Sequence, residues 1–258
     1  MKQCIILLLT LCIHPDFSLV AAQNPIEPRV VGGRNATKKE FPFVVAMVID
    51  KRLHCTGTII DNLHILTSAR CLEDSESKQW FVKAGFYIWD DPKALTKCVK
   101  TITIHPKFIN NGVYNWKFDI GIARLYKPYT FTACIQPVTL PNPGQRLAFG
   151  TRATFIGWGM TKFLPRIEYA SVLQAMDVIP IKKSQCKEAW TKLNRTICAI
   201  GTTPNKDSCY LDTGAPMMVG KVQWGLLTRG TLYCTGKRPM KFLDVSRYRK
   251  WIDSIVKE

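Results

Sequence analysis

The chain has 258 residues and a formal net charge of +17, with 36 Lys and Arg residues against 19 Asp and Glu residues. This length is sufficient for a full hydrophobic core and fits one all-β folding unit, so no second fold is required. The charge favours anionic partners such as sulfated glycans, acidic proteins and cell surfaces, and we expect no nucleic-acid ligand. The alternative is a cationic surface that only confers solubility.

Residues 1–22 are typical of a secretory signal peptide. An apolar run from Ile5 to Ile13 follows Lys2, and small residues precede Gln23. The run is too short to span a bilayer, and no other run of about 18 apolar residues occurs. The sequence therefore predicts a secreted, extracellular protein without a membrane span.

The cysteine count favours disulfides over metal ligands. Ten cysteines are present, and removal of the signal peptide leaves eight, an even number in an oxidising compartment. The mature sequence contains neither a Cys-x-x-Cys pair nor a His pair at helical spacing. We therefore expect four structural disulfides, no metal site and no cofactor.

The next feature is Arg29, which precedes the sequence Val-Val-Gly-Gly. It resembles the activation site of the chymotrypsin-like serine proteases. The resemblance implies an activation peptide at 23–29 and a peptidase domain at 30–258, with the new amino group of Val30 folded inward against Asp212. A buried carboxylate needs such a countercharge. The alternative is a surface Arg-Val bond before a glycine turn.

Most of the remaining chain has the texture of short strands. Segments rich in Val, Ile and Thr are separated by polar, Gly and Pro turns, which indicates an all-β sandwich or barrel. The resemblance narrows this to two packed antiparallel Greek-key barrels, with the crossover near Pro137–Gly150. The predicted strands are Phe41–Ile49, Thr56–Thr67, Phe81–Tyr87, Val99–Ile104, Ile120–Leu125, Ala153–Gly157 and Val222–Thr228.

A helix is expected near residue 250. Val245, Tyr248, Ile252 and Ile255 recur at spacings of three and four, behind Asp244 as a possible cap. This C-terminal helix should lie on the second barrel.

The position of the catalytic base is altered. The family motif Thr-Ala-Ala-His-Cys corresponds here to Thr67-Ser-Ala-Arg70-Cys71. An arginine stays protonated and has no acceptor, so Arg70 cannot take a proton from a nucleophile. The third member of the triad is matched by Asp119 in FDIGIARL, which we expect to form an ion pair with Arg70.

The nucleophile is altered as well. The segment Asp207–Pro216 reads DSCYLDTGAP and resembles the family's GDSCQGDSGGP, with Thr213 at the serine position. Threonine adds a methyl group that restricts its first side-chain torsion. The chain therefore combines a changed nucleophile with a changed base.

The substrate pocket implied by the resemblance also departs from the family. Asp207 matches the acidic residue that gives preference for Lys and Arg, but Met240 stands where a glycine follows the proline. We expect the Met240 side chain to fill the pocket. Gln223 and Gly225, on either side of Trp224, are interpreted as the family's Ser-Trp-Gly segment.

The cysteine spacings match the family in three cases. The resemblance implies the disulfides Cys55–Cys71, Cys186–Cys198 and Cys209–Cys234. By elimination we predict a fourth bond between Cys98 and Cys134. His54, His64 and His105 are interpreted as structural histidines, since the pattern gives them no catalytic partner.

These features favour a non-catalytic serine protease homologue that acts by binding, as a cofactor, decoy or regulator in extracellular proteolytic or defence pathways. The alternative is an active trypsin-like protease with an atypical site that cleaves after Lys or Arg. It is supported by Asp119, Asp207 and the activation motif. The general-base argument favours the first function.

Two kinds of surface site complete the prediction. Asn35 and Asn194 lie in Asn-x-Thr sequons and are predicted glycosylation sites, the alternative being unmodified surface asparagine. A set of basic residues near the C-terminal helix is a candidate site for an anionic glycan or a protein partner, the alternative being scattered solvated charges. This set comprises Lys182, Lys183, Lys187, Lys192, Arg195, Arg247, Arg249, Lys250 and Lys257.

Overall fold

The chain forms two closed antiparallel barrels, as the sequence predicts. The structure, a computed structural model, describes residues 33–73, 79–89, 91–109, 116–162, 168–186, 194–202, 212–228 and 238–257. The predicted signal and activation peptides lie outside these residues. In the described part, no helix is both long and apolar enough to cross a membrane.

The first barrel closes in the order β2-β3-β4-β7-β6-β5. Its strands are β2 (Val44–Ile49), β3 (Arg52–Ile59), β4 (His64–Thr67), β5 (Phe81–Ala84), β6 (Leu95–Ile104) and β7 (Gly121–Leu125). Alternate residues of these strands point inward, where Val45, Met47, Ile65, Val82 and Leu125 form its core. The predicted strand Thr56–Thr67 is in fact two strands with a turn between them.

The second barrel closes because β8 pairs with both β11 and β13. Its strands are β1 (Arg34–Asn35), β8 (Ala153–Gly157), β11 (Gln174–Ile181), β12 (Thr196–Gly201), β13 (Pro216–Val219), β14 (Val222–Leu227) and β15 (Met240–Asp244), with β1 added beside β11. A small hairpin joins β9 (Met160–Lys162) to β10 (Glu168–Tyr169). Phe155, Val178, Met217 and Phe242 belong to the inner cluster.

In the described ranges, three short α-helices accompany the barrels: α1 (Ala69–Leu72), α2 (Lys183–Cys186) and α3 (Arg249–Val256). 3-10 turns cover Trp116–Phe118 and Val245–Arg247. Asp244 caps the second 3-10 turn, where its side chain accepts a hydrogen bond from the Ser246 N–H, and α3 begins only after Tyr248. The predicted helix is thus present, but the predicted cap serves the turn that precedes it.

The barrels share a core. Leu66 and Ile122 of the first barrel pack in one cluster with Leu226 and Leu243 of the second, and Tyr248 joins the same cluster. The connection from β7 to β8 runs along this junction and contains none of the numbered strands, in agreement with the predicted crossover. The junction brings the nucleophile segment of the second barrel against the first.

Candidate functional site

The nucleophile segment is held between the two barrels. The N–H of Thr56 on β3 donates to the carbonyl oxygen of Thr213 at 3.0 Å. Gly214, with φ of +85°, donates its N–H to the carbonyl of Leu227 on β14 at 2.8 Å. A Cβ atom at position 214 would overlap the Thr56 carbonyl oxygen, so glycine is required there.

The three altered or retained triad positions come together. Arg70 lies in α1 and is exposed, and its backbone N–H donates to Asp119 Oδ1 at 2.8 Å. The next residue, Cys71, has its Sγ 3.6 Å from the carbonyl oxygen of Thr213. The Arg70 bond to Asp119 comes from the main chain, so any residue other than proline could make it at this position.

Asp119 is fully buried, and a second donor holds the same carboxylate oxygen. Ser68 Oγ donates to Asp119 Oδ1 at 2.5 Å. Ser68 is itself buried, and it precedes α1. In this chain Asp119 therefore acts as an acceptor for the loop that carries Arg70, a structural role that does not need a histidine.

A buried lysine accompanies Asp119. Lys241 on β15 is only 3% exposed, and burial lowers the pKa of its ammonium group to about 8, against an opposing attraction from the Asp119 carboxylate. The two groups thus compensate part of each other's desolvation cost. We did not expect either Ser68 or Lys241. The sequence does offer a signal for Lys241, since it is the one cation in the otherwise apolar run Met240–Leu243 of β15.

Asp212 occupies a pocket made by two glycines. Its side chain is fully buried and accepts a hydrogen bond from the Gly159 N–H at 2.7 Å. A Cβ at either Gly157 or Gly159 would overlap the carboxylate. The acidic half of the predicted activation switch is therefore built into the fold. Its predicted partner, Val30, and the cleavage residue Arg29 lie outside the described residues.

Gln223 and Gly225, two residues of the predicted substrate pocket, are both buried. Gln223 Oε1 accepts a hydrogen bond from Thr58 Oγ1 of the first barrel at 2.8 Å. Gly225 is inside the sheet, where a Cβ would lie 2.9 Å from those of Met217 and Phe242. A pocket role for either residue stays a prediction. Leu227, whose N–H donates to the Ala215 carbonyl at 2.8 Å, is the β14 residue that reaches the nucleophile segment.

Met240 is buried, as its predicted role requires. It is 2% exposed and belongs to the inner cluster of the second barrel with Ala215 and Trp224. Asp207, the predicted acidic residue of the pocket, lies outside the described residues. A pocket-filling role for Met240 stays a prediction.

Two of the four expected disulfides are present as written: Cys55–Cys71 and Cys186–Cys198. The pair Cys209–Cys234 lies outside the described residues. The first bond ties β3 to α1 and so anchors the Arg70 loop. Closing a loop of that size stabilises the fold by roughly 3 kcal/mol on chain-entropy grounds.

The predicted bond between Cys98 and Cys134 is wrong. Cys134 is a free thiol, whereas Cys98 is disulfide-bonded, to a residue outside the described part. In the sheet, Cys98 of β6 lies opposite Phe81, the first residue of β5. Cys134 lies beside Gly85, the residue that follows the end of β5. Four residues of strand span roughly 13 Å, and a disulfide allows at most about 7 Å between Cα atoms.

The histidines have contacts of their own. His64 is buried, and its Nδ1 lies 2.8 Å from Asp61 Oδ2. His54 packs edge-on against Trp80, with ring centroids 5.2 Å apart. His105 stacks on Phe118 at 4.8 Å, and burial, with Lys107 and Arg195 adding to it, lowers its pKa. These positions agree with structural roles.

The predicted basic set is partly assembled by the fold. Arg195 Nη1 donates to the carbonyl of Arg247 at 3.4 Å, and its guanidinium lies 5.6 Å from the ring centroid of Tyr248 and 5.9 Å from that of Phe118. Lys107 Nζ, from the first barrel, lies 6.0 Å from the same Phe118 ring. We call Lys107, Arg195 and Arg247 the junction cluster.

The other predicted basic residues differ in exposure. Arg249 is half-buried and bonded to Asp253 at 2.9 Å and to the Pro141 carbonyl at 2.7 Å, so it serves mainly to fix α3. Lys187 and Lys192 lie outside the described residues. The exposed members are Lys182, Lys183, Arg195, Arg247, Lys250 and Lys257.

Comparisons with known proteins agree with this architecture. The family model for Trypsin matches residues 30–252. Renal glandular kallikrein of Mastomys natalensis is 27% identical over 250 residues, covering 92% of this chain and 93% of that protein. Kallikrein 1-related peptidase b1 of Mus musculus is 27% identical over 245 residues, covering 90% of this chain and 92% of that protein.

Two solved structures resemble the fold. Mouse neuropsin, described as a serine protease expressed in the limbic system of the brain, superposes with a TM-score of 0.79 at 22% identity and covers 87% of this chain and 98% of its own. Human heparin binding protein gives a TM-score of 0.77 at 22% identity, with coverage of 89% and 97%. At this identity the likeness establishes the architecture alone.

Proposed function

The chain belongs to the trypsin family, and from that premise we propose that it is a secreted member that acts by binding and not by peptide hydrolysis. It would serve as a cofactor, decoy or regulator in an extracellular proteolytic or defence pathway. One observation carries the proposal: an exposed arginine, Arg70, stands at the position of the general base, and its main chain is bonded to the buried Asp119.

The chemistry of hydrolysis needs a proton acceptor beside the nucleophile. The guanidinium of Arg70 offers only N–H donors. In serine proteases the loss of either the base or the nucleophile costs on the order of a millionfold in turnover, and the triad acts as one unit. The second substitution, Thr213, and the buried Met240 support the same conclusion.

The proposal is tested on protein cleaved after Arg29. A serine-directed phosphonate probe and Lys or Arg peptide substrates are offered to the wild type and to a variant that restores the family residues, Arg70→His with Thr213→Ser. We expect neither labelling nor turnover in the wild type. The restored variant shows whether the assay reports a competent site.

Stoichiometric labelling of wild-type Thr213, or hydrolysis that survives rigorous purification, would establish the alternative of an active trypsin-like protease. The buried Asp212 and its glycine pocket favour that alternative, since they retain the acidic half of an activation switch. The missing base outweighs them, because activation cannot supply an acceptor that the sequence lacks.

We further propose that the ligand is anionic and that the exposed basic set binds it. The net charge of +17 and the convergence of Lys107, Arg195 and Arg247 support this proposal. One structural relative is named for binding heparin, which makes heparin the natural test ligand. An extracellular protein partner with an acidic surface is the second candidate.

A charge-matched pair of variants tests the basic set. Arg195→Ala with Arg247→Ala removes two cations from the junction cluster, and Lys93→Ala with Lys127→Ala removes two exposed cations elsewhere. We expect only the first variant to elute from heparin at clearly lower salt. Elution of the wild type below about 0.15 M salt would contradict the proposal, since long-range attraction is already screened there.

A further inference from the structure

We infer that Asn194 carries an N-linked glycan and that this glycan restricts access of sulfated polysaccharide to the junction cluster. The inference rests on the proposed anionic ligand. It adds a modification site that regulates the same surface, so that occupancy of one asparagine sets the affinity of the secreted protein for its ligand.

Asn194 has the sequence and exposure of a glycan acceptor. It begins the sequon Asn194-Arg195-Thr196, and both Asn194 and Arg195 are exposed in a turn directly before β12. Thr196 is buried and starts the strand, so exposure along the sequon is confined to Asn194 and Arg195. A bulky, hydrophilic modification is tolerated at such a surface position.

The modification is a balanced glycosyl transfer in the secretory pathway. The side-chain amide nitrogen of Asn194 forms a bond to the anomeric carbon of an oligosaccharide carried on a lipid pyrophosphate. The bond from that carbon to the phosphate oxygen breaks, the lipid pyrophosphate leaves with the bonding electrons, and the amide loses one proton to a base. No electrons are gained or lost overall.

The turn is fixed relative to the junction cluster. Arg195 has φ of +60°, a conformation that needs support from its surroundings. Its carbonyl accepts a hydrogen bond from the N–H of Asp244 at 3.0 Å. Its guanidinium is held over Tyr248 and Phe118. Asn194 precedes Arg195 directly, with Cα atoms about 3.8 Å apart, so a glycan there is attached one residue from the central cation of the cluster.

A neutral glycan leaves the cationic charge unchanged but holds a polyanion at a distance. Attraction between exposed charges falls off over about 8 Å at physiological salt. Displacing the polysaccharide by a distance of that order therefore weakens binding substantially. The bulk of the glycan thus weakens the attraction between the polysaccharide and the cations by keeping them apart.

The second sequon supplies a matched control. Asn35 lies on β1, which pairs with β11, whereas the junction cluster lies at the end of β15. Asn35 Oδ1 accepts a hydrogen bond from Gln174 Nε2 at 2.7 Å. A glycan at Asn35 is attached to a strand that contributes nothing to the junction cluster.

The experiment compares wild type, Asn194→Gln and Asn35→Gln, all secreted from a glycosylating host. Intact mass reports occupancy, and the salt needed for elution from heparin reports affinity. We expect a glycan at Asn194, a several-fold gain in heparin affinity for Asn194→Gln, and no gain for Asn35→Gln. Enzymatic trimming of the wild-type glycan to one sugar should give an intermediate value.

Failure of the inference differs from failure of the proposed ligand. An unmodified Asn194, or a glycosylated wild type that binds heparin as tightly as Asn194→Gln, would overturn the inference alone. A fourth protein, Asn194→Gln with Asn35→Gln, lacks both sequons. If this double variant does not bind heparin at physiological salt, the anionic ligand itself is wrong, and the inference falls with it.

Discussion

At the scale of single residues, the buried carboxylate of Asp119 is satisfied by groups that do not contribute to catalysis. Ser68 Oγ and the Arg70 N–H donate to it, and Lys241 supplies a buried positive charge. Removing one member of such a group leaves the other charge without compensation, which typically costs 3–5 kcal/mol. These contacts give Asp119 a structural role that does not depend on a histidine at position 70.

Lys241 should give the protein a distinctive alkaline stability profile. Its folded-state pKa of about 8 lies below the ordinary value of 10.5, so the unfolded chain binds more protons between these two pH values. Stability therefore rises with pH in this interval. Urea unfolding should show a gain of about 2 kcal/mol in the free energy of unfolding between pH 7.5 and 9.5.

Lys241→Met serves as the test of that profile. In this variant the free energy of unfolding should no longer rise between pH 7.5 and 9.5. Adding Asp119→Asn to the Lys241→Met variant should recover part of the stability that Lys241→Met loses. The pH range stops at 9.5 because burial raises the pKa values of Tyr129 and Tyr248, which lowers stability once unfolded tyrosines ionise near pH 10. An unchanged slope in Lys241→Met would refute the assignment.

Motif matches predict Arg70, Asp119 and Thr213 at the triad positions because motifs are local in sequence, but they did not predict Ser68 and Lys241, which interact with Asp119. Arg70 and Thr213 are each fixed by neighbours that match a motif, and the structure places both at the barrel junction. For Gln223 and Gly225 the motif match covers only three residues, and such a match carries no information on strand register. Only the pairing of Leu227 with the nucleophile segment shows which part of β14 approaches the site.

At the scale of elements, the composition of a segment predicted whether it forms a strand, but very short strands could not be predicted. Segments rich in Val, Ile and Thr became β2, β5, β6, β7, β8 and β14, while the two-residue strands β1 and β10 carry too few residues for a pattern. The terminal helix was predicted from its apolar spacing. Its beginning was placed too early because the 3-10 turn Val245–Arg247 continues the same spacing.

The turn before α3 depends on its cap. Asp244 Oδ1 accepts hydrogen bonds from Ser246 N at 3.2 Å and Ser246 Oγ at 2.7 Å, and Oδ2 lies 3.6 Å from Arg247 Nε. We expect Asp244→Ala to lower the free energy of unfolding by about 1 kcal/mol or slightly more. The control is Asp253→Ala, which removes only the i,i+4 pair with Arg249 and should cost about 0.3–0.5 kcal/mol. Equal losses in chemical denaturation would contradict the capping role.

At the scale of the whole molecule, the barrels behave as one unit because they share the cluster around Leu66, Leu226 and Tyr248. The double barrel itself followed from the resemblance. The disulfide map followed only in part, since elimination assumes that every cysteine finds a partner, whereas Cys134 is a free thiol. Distances between strands decide that question, and a sequence does not supply them.

A shared core predicts one cooperative unfolding transition. Leu66→Ala removes a fully buried side chain from the junction and should destabilise both barrels together by about 2–5 kcal/mol. Leu95→Ala, at a residue that is 42% exposed, is the matched control and should change stability by less than about 1 kcal/mol. Calorimetry and amide exchange resolved by residue would report the result. Selective loss of protection in the first barrel alone would show that the barrels unfold independently.

The apolar core shared by the two barrels also has a consequence for biosynthesis. Tyr248 and Ile252 complete the packing between the barrels, and the Tyr248 hydroxyl donates to the carbonyl of Lys117, two residues before Asp119. Domains begin to fold during synthesis from the amino-terminal side. Here the loop that carries Asp119 receives the Tyr248 hydrogen bond only after the segment around residue 248 has been synthesised. The packing between the barrels is therefore completed late, by residues that are synthesised long after the first barrel.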